Sequence, residues 1–204
     1  DTDIFAKAPA RLTAAGVSDI LGKYIALADW KIASILMDEY YCTAVADLET
    51  KAIRTVKDNL KEIAAGEKDA CEKLMYALIL SGLAMQMTGN SRPASGAEHH
   101  MVHLWDMEVV NGHLDALHGE KVSAATMLVL LEYKKLADAI RRGACRVHAF
   151  TDGDTELLQE TFGRKGILGA LEKENTPELL DDVSTETLSG ALPEILKIID
   201  FLPA

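Results

Sequence analysis

The stretch SGAEHHMVH, Ser95 to His103, carries three histidines, and a second stretch, LHGEKV at Leu117 to Val122, adds another. On a helix, His99 and His103 share a face with about 6 Å between them, and Asp106 follows one turn further along it. His118 can fold back towards them through a turn at Asn111–Gly112. Imidazole nitrogens so placed suit Zn, Ni or Fe(II). Two histidines do not make a site, but a carboxylate as third ligand would give the open arrangement that catalytic metals use. Spacing alone leaves the ordinary reading ahead, in which such histidines are half-buried and bonded to backbone. His100, His113 and His148 take that ordinary reading outright.

Helices must position these groups. The pattern Ser95-x-x-Glu98 predicts a capping box opening the histidine helix. After Asn111–Gly112 a segment from about Gly119 to Arg142 is apolar almost all round, which predicts the central helix of the domain. Upstream, a helix is expected from Ser18, just after Gly16, to about Tyr40, with Asp19, Lys23, Ala26, Trp30 and Ala33 on one face. Leu48, Ile53, Val56, Leu60 and Ile63 make an apolar stripe that Gly66 ends. From Asp69 to Met87 apolar residues occur on every side, as in a more buried helix. Gly89, Asn90, Pro93 and Gly96 mark a loop. Beyond Thr151 the chain is acidic and broken by Gly153, Gly163, Gly166, Pro177 and Pro193, which predicts three or four shorter helices. No alternating strand pattern of useful length occurs. The class is all-α, a multi-helix, bundle-like domain over residues 1–204.

Composition bounds the partners. The 204 residues suffice for one substantial domain, and 49% are hydrophobic. A net charge of −11 argues against nucleic acid and against an anionic membrane surface. The longest apolar run, Leu74 to Met85, is interrupted by Ser81 and Gly82 and falls short of the roughly 20 residues of a membrane span. The opening DTDIFAKAPA has neither a secretory pattern nor an initiator Met, so a fragment or processed product is expected. Cys42, Cys71 and Cys145 are odd in number and far apart, which fits a reduced, cytoplasmic protein.

Three blocks in order, AGVSDILGKYIALADWK from Ala15, SRPASGAEHH from Ser91 and LHGEKV, resemble the C-terminal domain of the sn-glycerol-1-phosphate dehydrogenases. These are relatives of the iron-containing alcohol dehydrogenases, glycerol dehydrogenase and dehydroquinate synthase. The resemblance covers at least Pro9 to about Arg142. It implies a metal held by Asp19, His99 and His118. Without it, Asp19 would pass as a residue near a helix N-terminus, favoured by the macrodipole. His103 matches a histidine that neighbours the substrate in related enzymes, so a proton-relay role is expected. In the iron-containing branch the residue four after the aspartate is a fourth ligand, histidine. Lys23 stands there in this chain, which favours a three-ligand Zn or Ni site.

The reaction implied is NAD- or NADP-linked interconversion of dihydroxyacetone phosphate and sn-glycerol 1-phosphate. Lys23 and Arg92 are the cations expected to meet the phosphate. No glycine-rich dinucleotide turn precedes Asp19. The chain is therefore expected to be the metal and substrate half of a two-domain dehydrogenase, inactive alone. Its exposed cleft face would favour self-association into a homo-oligomer. Two alternatives remain open: a glycerol dehydrogenase or dehydroquinate-synthase-like enzyme, and a non-catalytic helical interaction domain that binds no metal. Asp29 has no assigned role.

Overall fold

The computed structural model describes residues 1–107, 112–147, 155–163, 166–174 and 183–203. The expectations placed on Asn111, His148, Gly153 and Pro177 lie outside those residues. Ten helices occur among the described residues and no strand. They are α1 (Thr2–Phe5), α2 (Ala10–Met37), α3 (Thr43–Lys57), α4 (Leu60–Ala64) and α5 (Lys68–Thr88). Then come α6 (Ala97–Asp106), α7 (His118–Arg141), α8 (Thr155–Thr161), α9 (Leu168–Glu174) and α10 (Thr185–Ile199). The all-α expectation holds. None of the described helices is long and apolar enough to cross a membrane.

The central helix is α2, not α7 as its apolar sequence suggested. Packed on one side of α2 are α3, α4 and α5, through Ile20, Ile53, Val56, Ile63 and Leu74. Val102, Val122 and Ala125 join α6 to α7, and Ala137 meets Ala191, Ile195 and Ile199 of α10 beside Ile32, Ile35 and Leu36 of α2. Trp30 is fully buried with Val45, Ala46 and Ala84, and its Nε1 donates to the Tyr40 carbonyl at 2.8 Å. By contrast, Met127, Leu128 and Leu131 of α7 are exposed. An apolar surface all round a helix marks where it could be buried, but a neighbour must exist to bury it.

Other sequence expectations are corrected in the same way. Helix α2 begins at Ala10, after Pro9, rather than after Gly16. Gly16 lies inside it because α5 packs there: a Cβ at Gly16 would stand 3.3 Å from Leu78 Cδ1. The stripe through Leu60 breaks into α3 and α4. Asn59 turns its amide back on the Thr55 carbonyl at 2.7 Å and accepts Lys73 Nζ at 2.7 Å, competing with helical bonding. Leu60 is left exposed, while Gly66, at φ 75°, follows α4 as expected. Helix α5 is not buried all round: Ala70, Leu74, Ala77, Ser81 and Ala84 face the core, but Tyr76, Ile79, Leu83 and Met87 are exposed. Pro193 does not break the last segment. It sits inside α10, whose Ala191, Ile195 and Ile199 gain more from burial than the one lost hydrogen bond costs.

Candidate metal centre

Each of the three residues expected as ligands comes from a different helix. Asp19 lies on α2, His99 in the first turn of α6, and His118 is the first residue of α7. Their ligand atoms all lie within 4.8 Å of one another. His99 Nε2 is 3.5 Å and His118 Nε2 3.8 Å from the same oxygen, Asp19 Oδ1.

Two close approaches bring α6 and α7 onto α2. Gly119, next to His118, packs against the backbone of Ala15, one turn before Asp19: a Cβ there would stand 2.8 Å from Ala15 Cα. Gly96, just before α6, packs against Ala26, with a hypothetical Cβ 2.9 Å from its Cα. Gly22, between them, does the same for Val122 and Thr126. Small residues on one stripe of α2 therefore let two other helices come near enough for their first-turn histidines to reach Asp19.

The start of α7 is further tied to α2. Arg11 grips Glu120 with Nε at 2.6 Å and Nη2 at 2.8 Å, and its Nη2 also meets the Asp115 carbonyl at 3.3 Å. Glu120 Oε2 in turn accepts the Leu117 N–H at 2.8 Å. The start of α6 differs from the predicted box. Its N-cap is Gly96, not Ser95, and that residue has no side chain to cap with. Half of the box survives, since Glu98 Oε1 accepts the Gly96 N–H at 3.2 Å. The other half is supplied from α2, where Asp29 Oδ2 accepts the Ala97 N–H at 2.6 Å.

The far nitrogens of both rings face carboxylates. His99 Nδ1 is 2.7 Å from Glu98 Oε1, and His118 Nδ1 is 3.8 Å from Asp106 Oδ2, whose partner oxygen receives Lys121 Nζ. Outer carboxylates of this kind fix the tautomer and aim Nε2 at a metal. Lys23 is buried, with its Nζ 3.0 Å from Asp19 Oδ2 and 3.2 Å from the Asp19 carbonyl. Burial pushes the Asp19 carboxyl up, but His99 and Lys23 outweigh it and hold it far below the usual carboxylate range. Burial likewise disfavours a charged His99. The Asp19 and Glu98 carboxylates prevail, and its pKa is pushed up to about 9. A cation held by Asp19 and His99 would have to displace the proton that these carboxylates favour on the ring.

The donor set, two imidazoles and one carboxylate, is one that a first-row divalent ion accepts with positions left open. His103 is exposed, its ring centroid 6.3 Å from that of His99. Arg92 lies outside the triad in a bidentate pair with Glu39, at 2.7 and 2.6 Å. Glu98 was read from the sequence only as a cap and Asp106 only as a face-sharing residue, while Arg11 and Glu120 were not singled out. The adjacency of Glu98 to His99 was a readable signal. Nothing local connects Arg11 with Glu120.

No family model matches the chain. It is 35% identical over 186 residues to a glycerol-1-phosphate dehydrogenase [NAD(P)+] of Geobacillus thermodenitrificans, covering 85% of this chain and 46% of the relative. A protein of the same name from Halalkalibacterium halodurans is 44% identical over 138 residues, covering 67% and 35%. One from Pyrococcus horikoshii is 36% identical over 167 residues, covering 79% and 47%. The chain thus spans less than half the length of these curated relatives.

Proposed function

We propose, because this chain belongs to the glycerol-1-phosphate dehydrogenase family, that it is the metal- and substrate-binding half of such an enzyme. The whole protein would interconvert dihydroxyacetone phosphate and sn-glycerol 1-phosphate with NAD(H) or NADP(H) bound mainly outside this chain. One observation carries the reading: Asp19, His99 and His118, from three helices, present ligand atoms within 4.8 Å of one another. These three would hold Zn or Ni. Such an ion, when bound, supplies Lewis acidity that favours negative charge on the substrate oxygen.

The remaining steps belong to the chain's own residues. Lys23 holds Asp19 Oδ2 and leaves Oδ1 turned to the two imidazoles. Glu98 keeps the His99 ring oriented. His103, exposed on the same helix, would pass the proton of the substrate hydroxyl to solvent, since an imidazole can both accept and donate a proton. Arg92 would exchange Glu39 for the substrate phosphate, and Lys23 adds fixed positive charge from below Asp19. The chain alone would be inactive for want of the nucleotide half.

Metal content per chain, after purification without chelator or metal-affinity tag, tests the centre. About one Zn or Ni per chain is expected, and none in Asp19→Ala. A metal-free protein that takes up neither ion when they are added would sink the reading. In the full-length enzyme, Arg92→Ala is expected to raise KM for dihydroxyacetone phosphate about tenfold or more, as loss of a charged hydrogen-bonding partner does. An unchanged KM would remove Arg92 from the substrate site. Activity on the phosphate ester but not on free glycerol would separate this reading from a glycerol dehydrogenase.

A further inference from the structure

Asp29, described so far only as the acceptor of the Ala97 N–H, links all three helices that carry the candidate ligands. It lies ten residues beyond Asp19 on α2, about 15 Å along one rigid helix. Its Oδ2 accepts the N–H of Ala97, the first residue of α6, at 2.6 Å. Its Oδ1 accepts the hydroxyl of Tyr133 on α7. One carboxylate therefore joins the helix of Asp19 to those of His99 and His118.

We propose that Asp29 is a positioning residue of the metal centre: it pins the start of α6 to α2 so that His99 stands opposite Asp19. The proposal rests on the metal reading given above. Helix α6 has no capping side chain of its own, since Gly96 is its N-cap. The free N–H groups and the positive end of the helix dipole at that point are met by the Asp29 carboxylate instead. Gly96 leaves little slack, because a Cβ there would stand 2.6 Å from Asp29 Oδ2 as well as 2.9 Å from Ala26 Cα. His99 follows Ala97 by two residues, so any rotation of the first turn of α6 moves its ring directly. Burial pushes the Asp29 carboxyl up, and the bonds from Tyr133 and Ala97 work against that rise. A carboxyl group in a half-buried site needs hydrogen-bonding partners, and here they sit on the two other helices.

Cobalt(II) titration followed by its visible absorption reads both affinity and ligand geometry, and the thermal midpoint of the metal-free protein reads stability. Wild type is expected to bind one Co²⁺ per chain. Asp29→Ala is expected to weaken binding about 10- to 100-fold, the range seen when outer-shell partners are lost, and to change the cobalt spectrum. Tyr133→Phe should weaken it several-fold. Asp29→Asn, which keeps an acceptor for Ala97 N–H, should recover most of the loss. Ile53→Val, in the core on α3, should lower the thermal midpoint without moving affinity or spectrum. Wild-type affinity and spectrum in Asp29→Ala, or an equal loss in Ile53→Val, overturns the proposal. If Asp29→Ala does not fold, Tyr133→Phe decides, and an unchanged affinity there overturns it. No Co²⁺ bound by wild type would defeat the metal reading and this proposal together. Binding by wild type matched by the variants would defeat the positioning role alone.

Discussion

Gly119→Ala is expected to abolish metal binding and to destabilise the chain by at least about 3 kcal/mol, at the upper end of what overpacking costs. The added methyl would overlap the Ala15 carbonyl oxygen and stand 2.5 Å from its carbon and 2.8 Å from its Cα. All three are backbone atoms in the second turn of α2, so no side chain can turn away to make room. The only relief is for α7 to move off α2, and His118 immediately precedes Gly119. The ring would leave Asp19, and the packing of Val122 and Ala125 against Val102 would loosen with it. Gly82→Ala is the matched control. It lies inside α5 at a φ suited to any residue, with nothing within 4 Å of a Cβ. There alanine should be neutral or stabilising by up to about 1 kcal/mol. Thermal midpoints and metal content of the two variants check the pair. Full metal occupancy in Gly119→Ala would mean that α7 approaches α2 differently.

Metal affinity should rise about tenfold for each pH unit between pH 6 and 8. His99 is pushed up to about 9 in the metal-free protein, so through this range a bound ion must displace its proton. Asp19, held low, stays ionised throughout and adds no slope. The stability of the metal-free protein has the opposite sign. A histidine whose pKa is raised on folding contributes stability that is complete below its unfolded value of about 6.5 and is lost as pH rises through about 9. The metal-free midpoint should therefore fall between pH 7 and 9.5, while Zn or Ni binding strengthens. Competition with a chelating indicator at pH 6, 7 and 8 measures the first effect. An affinity flat across that range would show that His99 is not the group giving up a proton. Glu98→Gln removes one of the two carboxylates that favour the charged ring and should reduce the slope near pH 8.

The all-α class, the segments that become helices and the loop before α6 follow from features within a turn or two of each residue. Periodicity and glycine or proline punctuation are local, and local patterns suffice for them. The candidate triad was different. His99 and His103 could be paired by spacing, but spacing favoured no metal, and Asp19 looked like an ordinary early helix residue. Only the three ordered blocks of the family resemblance singled out Asp19, His99 and His118 together.

Several local readings failed where a neighbour decided the outcome. Ser95-x-x-Glu98 has the form of a capping box, but α6 is capped from Asp29, sixty-eight residues earlier in the chain. The apolar sequences of α5 and α7 promised burial on all sides, yet Tyr76, Met87, Met127 and Leu131 are exposed. Pro193 reads as a breaker and lies within α10.

By itself, then, the sequence determined helices and, through its family blocks, the identity of three converging side chains. The tertiary structure decided that α2 is the axis, that Gly96 and Gly119 close α6 and α7 onto it, and that Glu98 and Asp106 stand behind the two imidazoles. The reason is physical. A helix is fixed by hydrogen bonds four residues apart. A site drawn from three helices is fixed by how near their backbones can come, and at Gly119 the backbone of Ala15 leaves no room for even one methyl group.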